Sequence, residues 1–143
     1  MPALNATIRV PFEFRACHGL LVRPEMHWHV YRVVVALAGP VSRADGFVCD
    51  MGLVHHELEQ VLGSLDGATL NDNPHLKAMG EAGSLAATHP TCEAMAHAFA
   101  NALQPRLNKL KDGARLTRVD VELRDEPASS TQAREYGWAS VTL

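Results

Sequence analysis

Hydrophobic and polar residues alternate from Ile8 to His18. Ile8, Val10, Phe12, Phe14, Ala16 and His18 share one face, while Arg9, Glu13, Arg15 and Cys17 share the other. A period of two predicts a half-buried strand. The segment from His27 to Leu37 is β-branched and aromatic, sets His27, His29, Tyr31, Val33 and Val35 on one face, and stops at Gly39-Pro40. It predicts a second strand. Residues 19–26 are short enough for a hairpin, which makes the two strands antiparallel neighbours.

Beyond a polar turn, Asp50 is placed to cap a helix whose apolar positions Met51, Val54, Leu58, Val61, Leu62 and Leu65 follow a three-four spacing, with an end near Gly63 or Gly67. Residues 71–89 carry Asn, Asp, Pro and several Gly with little periodicity, so they read as a long loop with one irregular helical turn. Thr91 caps a second helix with Met95, Ala98, Phe99, Ala102, Leu103 and Leu110 on its buried side, and Pro105 is expected to kink or divide it. Residues 118–125 alternate again, with Val119, Val121, Leu123 and Asp125 inward. A loop over residues 126–134 leads to a final strand over 136–143. The order ββααββ predicts an α+β domain: a four-stranded antiparallel sheet with two helices on one face.

Length and composition narrow the function. At 143 residues the chain is expected to be one domain, with 47% hydrophobic and 20% charged residues, which is ordinary globular composition. The net charge of -3 supplies no basic field for a nucleic-acid backbone and no basic membrane patch. The longest apolar runs are far short of a bilayer span, and residues 1–6 lack the pattern of a secretory signal, so a cytoplasmic protein is expected. Cys17, Cys49 and Cys92 are an odd number at wide spacing, which indicates neither a disulfide framework nor a cysteine metal site.

Histidine is the unusual residue, at 8 copies. That abundance brings a His-x-His pair within reach of chance, so the spacing of His27 and His29 alone means little. Their place on the strands matters more. His27 and His29 project from one strand face, and His18 ends the inward row of the adjoining strand, so three imidazoles are able to converge. Three neutral imidazoles with a fourth position open are the ligand set of a catalytic zinc ion. The competing explanation is solvated or core histidines.

Several short motifs, in order, carry a resemblance. They are Phe14-Arg-Ala16-Cys-His18, His27-Trp-His29-Val-Tyr31, Gly46-Phe-Val-Cys-Asp50-Met51, Leu65-Asp66, Leu70-Asn71 and Pro90-Thr91-Cys-Glu93. Across about residues 8–138 the chain resembles the 6-pyruvoyl-tetrahydropterin synthase family, which includes the 6-carboxytetrahydropterin synthases. The resemblance implies a tunnelling fold (T-fold) whose copies form an oligomeric barrel, as trimers stacked into hexamers. It also implies that His18, His27 and His29 hold Zn2+, and that the zinc grips side-chain oxygens of a reduced pterin such as 7,8-dihydroneopterin triphosphate.

Departures from the family pattern are as informative. Trp28 stands where the family has glycine. The family's catalytic cysteine position holds Arg23, and its aspartate-histidine relay pair corresponds to Asp66-Gly67. Arginine stays charged and glycine has no titrating group, so an unaltered proton relay is not expected. The catalytic candidates that remain are Asp66 and Glu25, since some family members use a glutamate near the cysteine position for aldolase-like cleavage. Cys17 should face away from His18, and His75 or His89 is the candidate to replace the relay histidine.

A pterin's amidine-like edge calls for a carboxylate accepting two hydrogen bonds. The family places that acid near the end of the third strand, which corresponds here to Asp125 or Glu126. Thr91 and Glu93 match a segment near the substrate at a subunit interface, although a helix cap and a first-turn acid would also account for them. The expectation is a zinc-dependent pterin enzyme with altered lyase or aldolase-like chemistry. The alternatives are a non-catalytic pterin-binding protein that keeps the metal site, and a structural metal-binding subunit.

Overall fold

A computed structural model describes residues 4–125 and 135–143. Strands β1 (Asn5–Leu20) and β2 (Arg23–Pro40) form a long antiparallel hairpin, followed by helices α1 (Met51–Leu62), α2 (Pro74–Lys77), α3 (Glu81–Thr88) and α4 (Cys92–Leu107). Strands β3 (Arg115–Asp125) and β4 (Tyr136–Thr142) complete a sheet in the order β1-β2-β3-β4, antiparallel throughout.

The period-two residues of the strands meet the helices on one face. Val10, Phe14, Tyr31, Val33, Val35, Val119 and Val121 join Val54, Leu58, Met95, Phe99 and Leu103 in one buried cluster. Phe14 stacks on Tyr31 at 5.2 Å and meets Phe99 edge-on at 6.3 Å, so aromatic packing ties β1 and β2 to α4. Burying side chains of this size stabilises by about 1.5–3 kcal/mol each. The caps are those expected: Asp50 Oδ1 accepts from Gly52 N–H at 2.8 Å, and Thr91 Oγ1 accepts from Ala94 N–H at 3.1 Å. No helix among the described residues is long and apolar enough to cross a membrane.

Two local expectations are corrected. Residues 71–89 are not a loop with one turn but contain α2 and α3. Asn73 caps α2 through two backbone N–H groups and Pro74 sits at its start, while Leu76, Ala86 and Ala87 are buried. Gly83 read as a loop signal, but its reason is packing: a Cβ there would lie 1.9 Å from the Leu76 carbonyl oxygen. Pro105 does not divide α4, which runs to Leu107. It lies in the last turn, where little helix remains to be disrupted.

The hairpin register positions the candidate chemistry. His18 is opposite His27, and Ala16, His29 and Asp125 lie in one cross-strand row. Opposed residues share a face. The outer edge of β1 here is covered by the segment after α1, which donates Gly67 N–H to the Arg15 carbonyl at 2.6 Å and Leu70 N–H to the Cys17 carbonyl at 2.9 Å. Gly67 takes φ +76 to do so, a conformation that favours glycine over the histidine expected from the family.

Gly83→Ala is expected to destabilise the protein by about 1–3 kcal/mol, because neither helix can separate to admit a methyl group without losing buried contacts. Urea unfolding of the variant against the parent measures it.

Candidate metal centre

The three histidine rings surround one point. Their centroids lie 4.6 Å (His18 to His27), 4.9 Å (His18 to His29) and 4.8 Å (His27 to His29) apart, with all three pairs near perpendicular. His18 and His29 are fully buried and His27 half-buried. Each Nδ1 faces a backbone carbonyl: Pro90 at 2.9 Å for His18, Glu25 at 2.8 Å for His27 and Arg124 at 3.3 Å for His29. A carbonyl oxygen only accepts, so each Nδ1 carries the proton and each Nε2 keeps its lone pair. For His18 the Tyr31 hydroxyl oxygen, 2.9 Å from Nδ1, is a second acceptor of that proton.

The three Nε2 atoms are buried and have no hydrogen-bond partner among the described residues. An unsatisfied buried acceptor costs roughly 1–3 kcal/mol. Three sharing one space fit a divalent cation, which would take all three lone pairs at once. Burial holds the His18 imidazole well below its usual range, at about 4, helped by His29 and His27 and opposed by the bond to Pro90. Burial also lowers His29, against the pull of Glu135 and Asp125. Both are therefore neutral at pH 7, the form that binds a metal.

One carboxylate in this cluster escaped the sequence reading. Glu135 joins His18, His27 and His29 in a group whose ligand atoms all lie within 4.8 Å of one another. It precedes β4, beyond the 126–134 segment, where no periodicity marks it. Its Oε2 lies 3.4 Å from His29 Nε2, and its Oε1 accepts from Arg23 Nη1 at 2.6 Å. Arg23, at the family's cysteine position, thus pairs with an acid at the metal centre.

The other expected residues divide. Thr91, Glu93, Cys92, Glu135 and Trp138 line a cavity of about 500 Å³ that reaches His18. Burial pushes the Cys92 thiol up to about 12, so it is no nucleophile near neutral pH. Asp125 does lie on the inward face, but its Oδ1 sits 3.2 Å from His29 Nδ1 and its Oδ2 accepts Glu135 N–H at 2.8 Å, so it buttresses the centre. Glu126 lies outside the described residues. Glu25 offers its carbonyl to His27, while its exposed carboxylate stands 3.5 Å from Arg23 Nε. Asp66 is not brought to the centre: its Oδ1 accepts Arg15 N–H at 3.0 Å on the β1 edge. His75 and His89 are exposed and outside the cluster, and Cys17 turns to Thr69, with Sγ 3.3 Å from its hydroxyl. Trp28, on the opposite face, carries the Arg15 guanidinium 3.9 Å above its ring.

Comparison with known proteins agrees with this geometry. The profile of the family "6-pyruvoyl tetrahydropterin synthase" matches residues 7–135. The chain belongs to this family. Among solved structures, 6-pyruvoyl tetrahydropterin synthase of Caenorhabditis elegans is similar at 19% identity and TM-score 0.68, over 99% of each chain. An uncharacterized protein of Wolinella succinogenes is similar at 17% identity and TM-score 0.65, over 98% of this chain and 99% of that one. A Plasmodium vivax synthase with a catalytic-residue glutamate replaced by alanine is similar at 15% identity and TM-score 0.58, over 98% and 99%. No curated protein sequence matches the chain significantly. The fold is thus the T-fold, with the four-stranded sheet and two long helices expected and two short helices added between them.

In the metal-free protein, His18 is neutral in both folded and unfolded chains above pH 6.5. Below that, the unfolded chain binds a proton that the folded one refuses until about pH 4. Stability is therefore lost as pH falls from 6.5 to 4, by up to about 3 kcal/mol for His18. Urea titrations in EDTA across that range measure the loss.

Proposed function

We propose that this family member is a zinc-dependent enzyme acting on the side chain of a reduced pterin such as dihydroneopterin or its triphosphate, by lyase or aldolase-like chemistry. The observation that carries the reading is the convergence of three buried, lone-pair-bearing Nε2 atoms beside a cavity of about 500 Å³. Three neutral nitrogens with a carboxylate nearby suit zinc. Zinc, when bound, supplies a Lewis acid toward a substrate side-chain oxygen.

The chain's own residues do the rest. Carbonyls of Pro90, Glu25 and Arg124 orient the three rings, so the imidazoles need not reorient when substrate arrives. Thr91 and Glu93 on the cavity wall hold the pterin edge, with Asp125 or Glu126 as the carboxylate that accepts from it. We assign proton transfer to Glu25 rather than Asp66, because the Asp66 carboxylate already accepts a backbone N–H at 3.0 Å. A catalytic glutamate in the Plasmodium vivax synthase supports that choice. The exposed Tyr136 and Trp138 on edge strand β4 favour a homo-oligomer, trimer or hexamer, in which a neighbouring copy covers them. Free thiols at Cys17, Cys49 and Cys92 favour a cytoplasmic location.

A second reading rests on a specific observation. Arg23 and Gly67 stand at the family's cysteine and histidine positions, and Arg23 is committed to Glu135 at 2.6 Å. A protein with that change would bind a reduced pterin without converting it.

Purified zinc-loaded protein is expected to convert dihydroneopterin or its triphosphate, and His27→Ala to lower the rate by at least about a hundredfold. Stoichiometric pterin binding with no product, measured by chromatography of the reaction, would replace the enzyme reading with the binding one. Sedimentation of the same sample is expected to give a trimer or hexamer.

A further inference from the structure

Glu135 Oε2 and His29 Nε2 are 3.4 Å apart and form no hydrogen bond. A bond would need the proton on Nε2. Both neighbours of Nδ1, the Arg124 carbonyl and the Asp125 carboxylate, only accept, so the proton is on the other nitrogen. Two lone-pair atoms therefore face each other, the histidine's buried and the carboxylate's on a partly exposed side chain. That contact is repulsive unless a cation lies between them. Ligand atoms at ordinary zinc bond lengths in a tetrahedron stand about 3.3 Å apart, which is close to the gap observed.

The carboxylate is held by Arg23, and the Glu135 backbone by Asp125. Arg23 Nη1 takes Oε1 at 2.6 Å and leaves Oε2 toward the histidines. Asp125 Oδ2 accepts Glu135 N–H at 2.8 Å, and Asp125 N–H donates to the Glu135 carbonyl at 3.2 Å. Glu135 and His18 both line the cavity, so the carboxylate and the histidine cluster share one space.

We infer that Glu135 is the fourth protein ligand of the metal held by His18, His27 and His29, with Arg23 as its positioning residue. Such a ligand would close the resting centre, and an oxygen donor would have to displace Oε2 to reach the metal. Catalytic zinc sites usually keep a position open, whereas four protein ligands make a closed one. This inference rests on the metal-centre reading above and adds a ligand to it.

Cobalt-substituted protein tests it without turnover. The visible spectrum of the parent is expected to respond weakly to azide, because the fourth position is filled, while Glu135→Gln shows a changed spectrum and a strong azide response. Zinc affinity of Glu135→Gln, measured against a chromophoric chelator, is expected to fall about tenfold or more. Arg23→Gln should retain the metal yet gain an azide response, and Arg23→Lys, which keeps a cation opposite Oε1, should restore the parent spectrum. Equal zinc affinity and equal azide response in the parent and Glu135→Gln would overturn the fourth ligand while leaving the three-histidine centre intact. Failure of the parent to take up zinc or cobalt would overturn both.

Discussion

Three hydrogen bonds from imidazole Nδ1–H groups to backbone carbonyls organise this protein's chemistry. They fix the tautomer of His18, His27 and His29, and with it the direction of three lone pairs. The acceptors come from different parts of the chain: Pro90 before α4, Glu25 on β2 and Arg124 on β3. A histidine cluster held this way is tied to the fold as a whole, because moving any one element changes the ring it orients. Burial contributes as well, since it keeps His18 and His29 neutral and so ready to bind a cation.

The helix layer is coupled to the centre through residues 90–93. The Pro90 carbonyl receives the His18 proton, Thr91 caps α4 through the Ala94 N–H, and Thr91, Cys92 and Glu93 form one wall of the cavity. The wall and the ring orientation therefore share one short segment. Phe99, deeper in α4, anchors that segment by packing against Phe14.

Where the resemblance would set a cysteine and a histidine, this chain has Arg23 and Gly67 in a differently charged arrangement. Arg23 bridges Glu135 and approaches Glu25, while Asp125 bridges His29 and the Glu135 backbone. Three carboxylates around one guanidinium leave net negative charge beside the imidazoles, which suits a centre that holds a cation rather than one that shuttles protons through a thiol. Gly67 fits the same reorganisation, because its left-handed turn closes the β1 edge and its partner Asp66 is engaged with Arg15.

The sequence alone determined the four strands, the two long helices with their caps at Asp50 and Thr91, and the three histidines on one face. Each of these follows from local periodicity: inward positions recur every two residues along a strand and every three to four along a helix. The tertiary structure alone decided the roles of Gly83, Asp66, Asp125 and Glu135. Gly83 reads as a loop signal until the Leu76 carbonyl is seen where its Cβ would be. Asp66 reads as a catalytic candidate and Asp125 as a pterin-binding one, and only the folded chain brings backbone N–H groups from Arg15 and Glu135 to them. Glu135 lies more than a hundred residues from its partner Arg23, immediately before the edge strand β4 and outside its alternation. Its approach to the histidines comes from antiparallel pairing of β3 with β4, a long-range contact that local spacing does not encode.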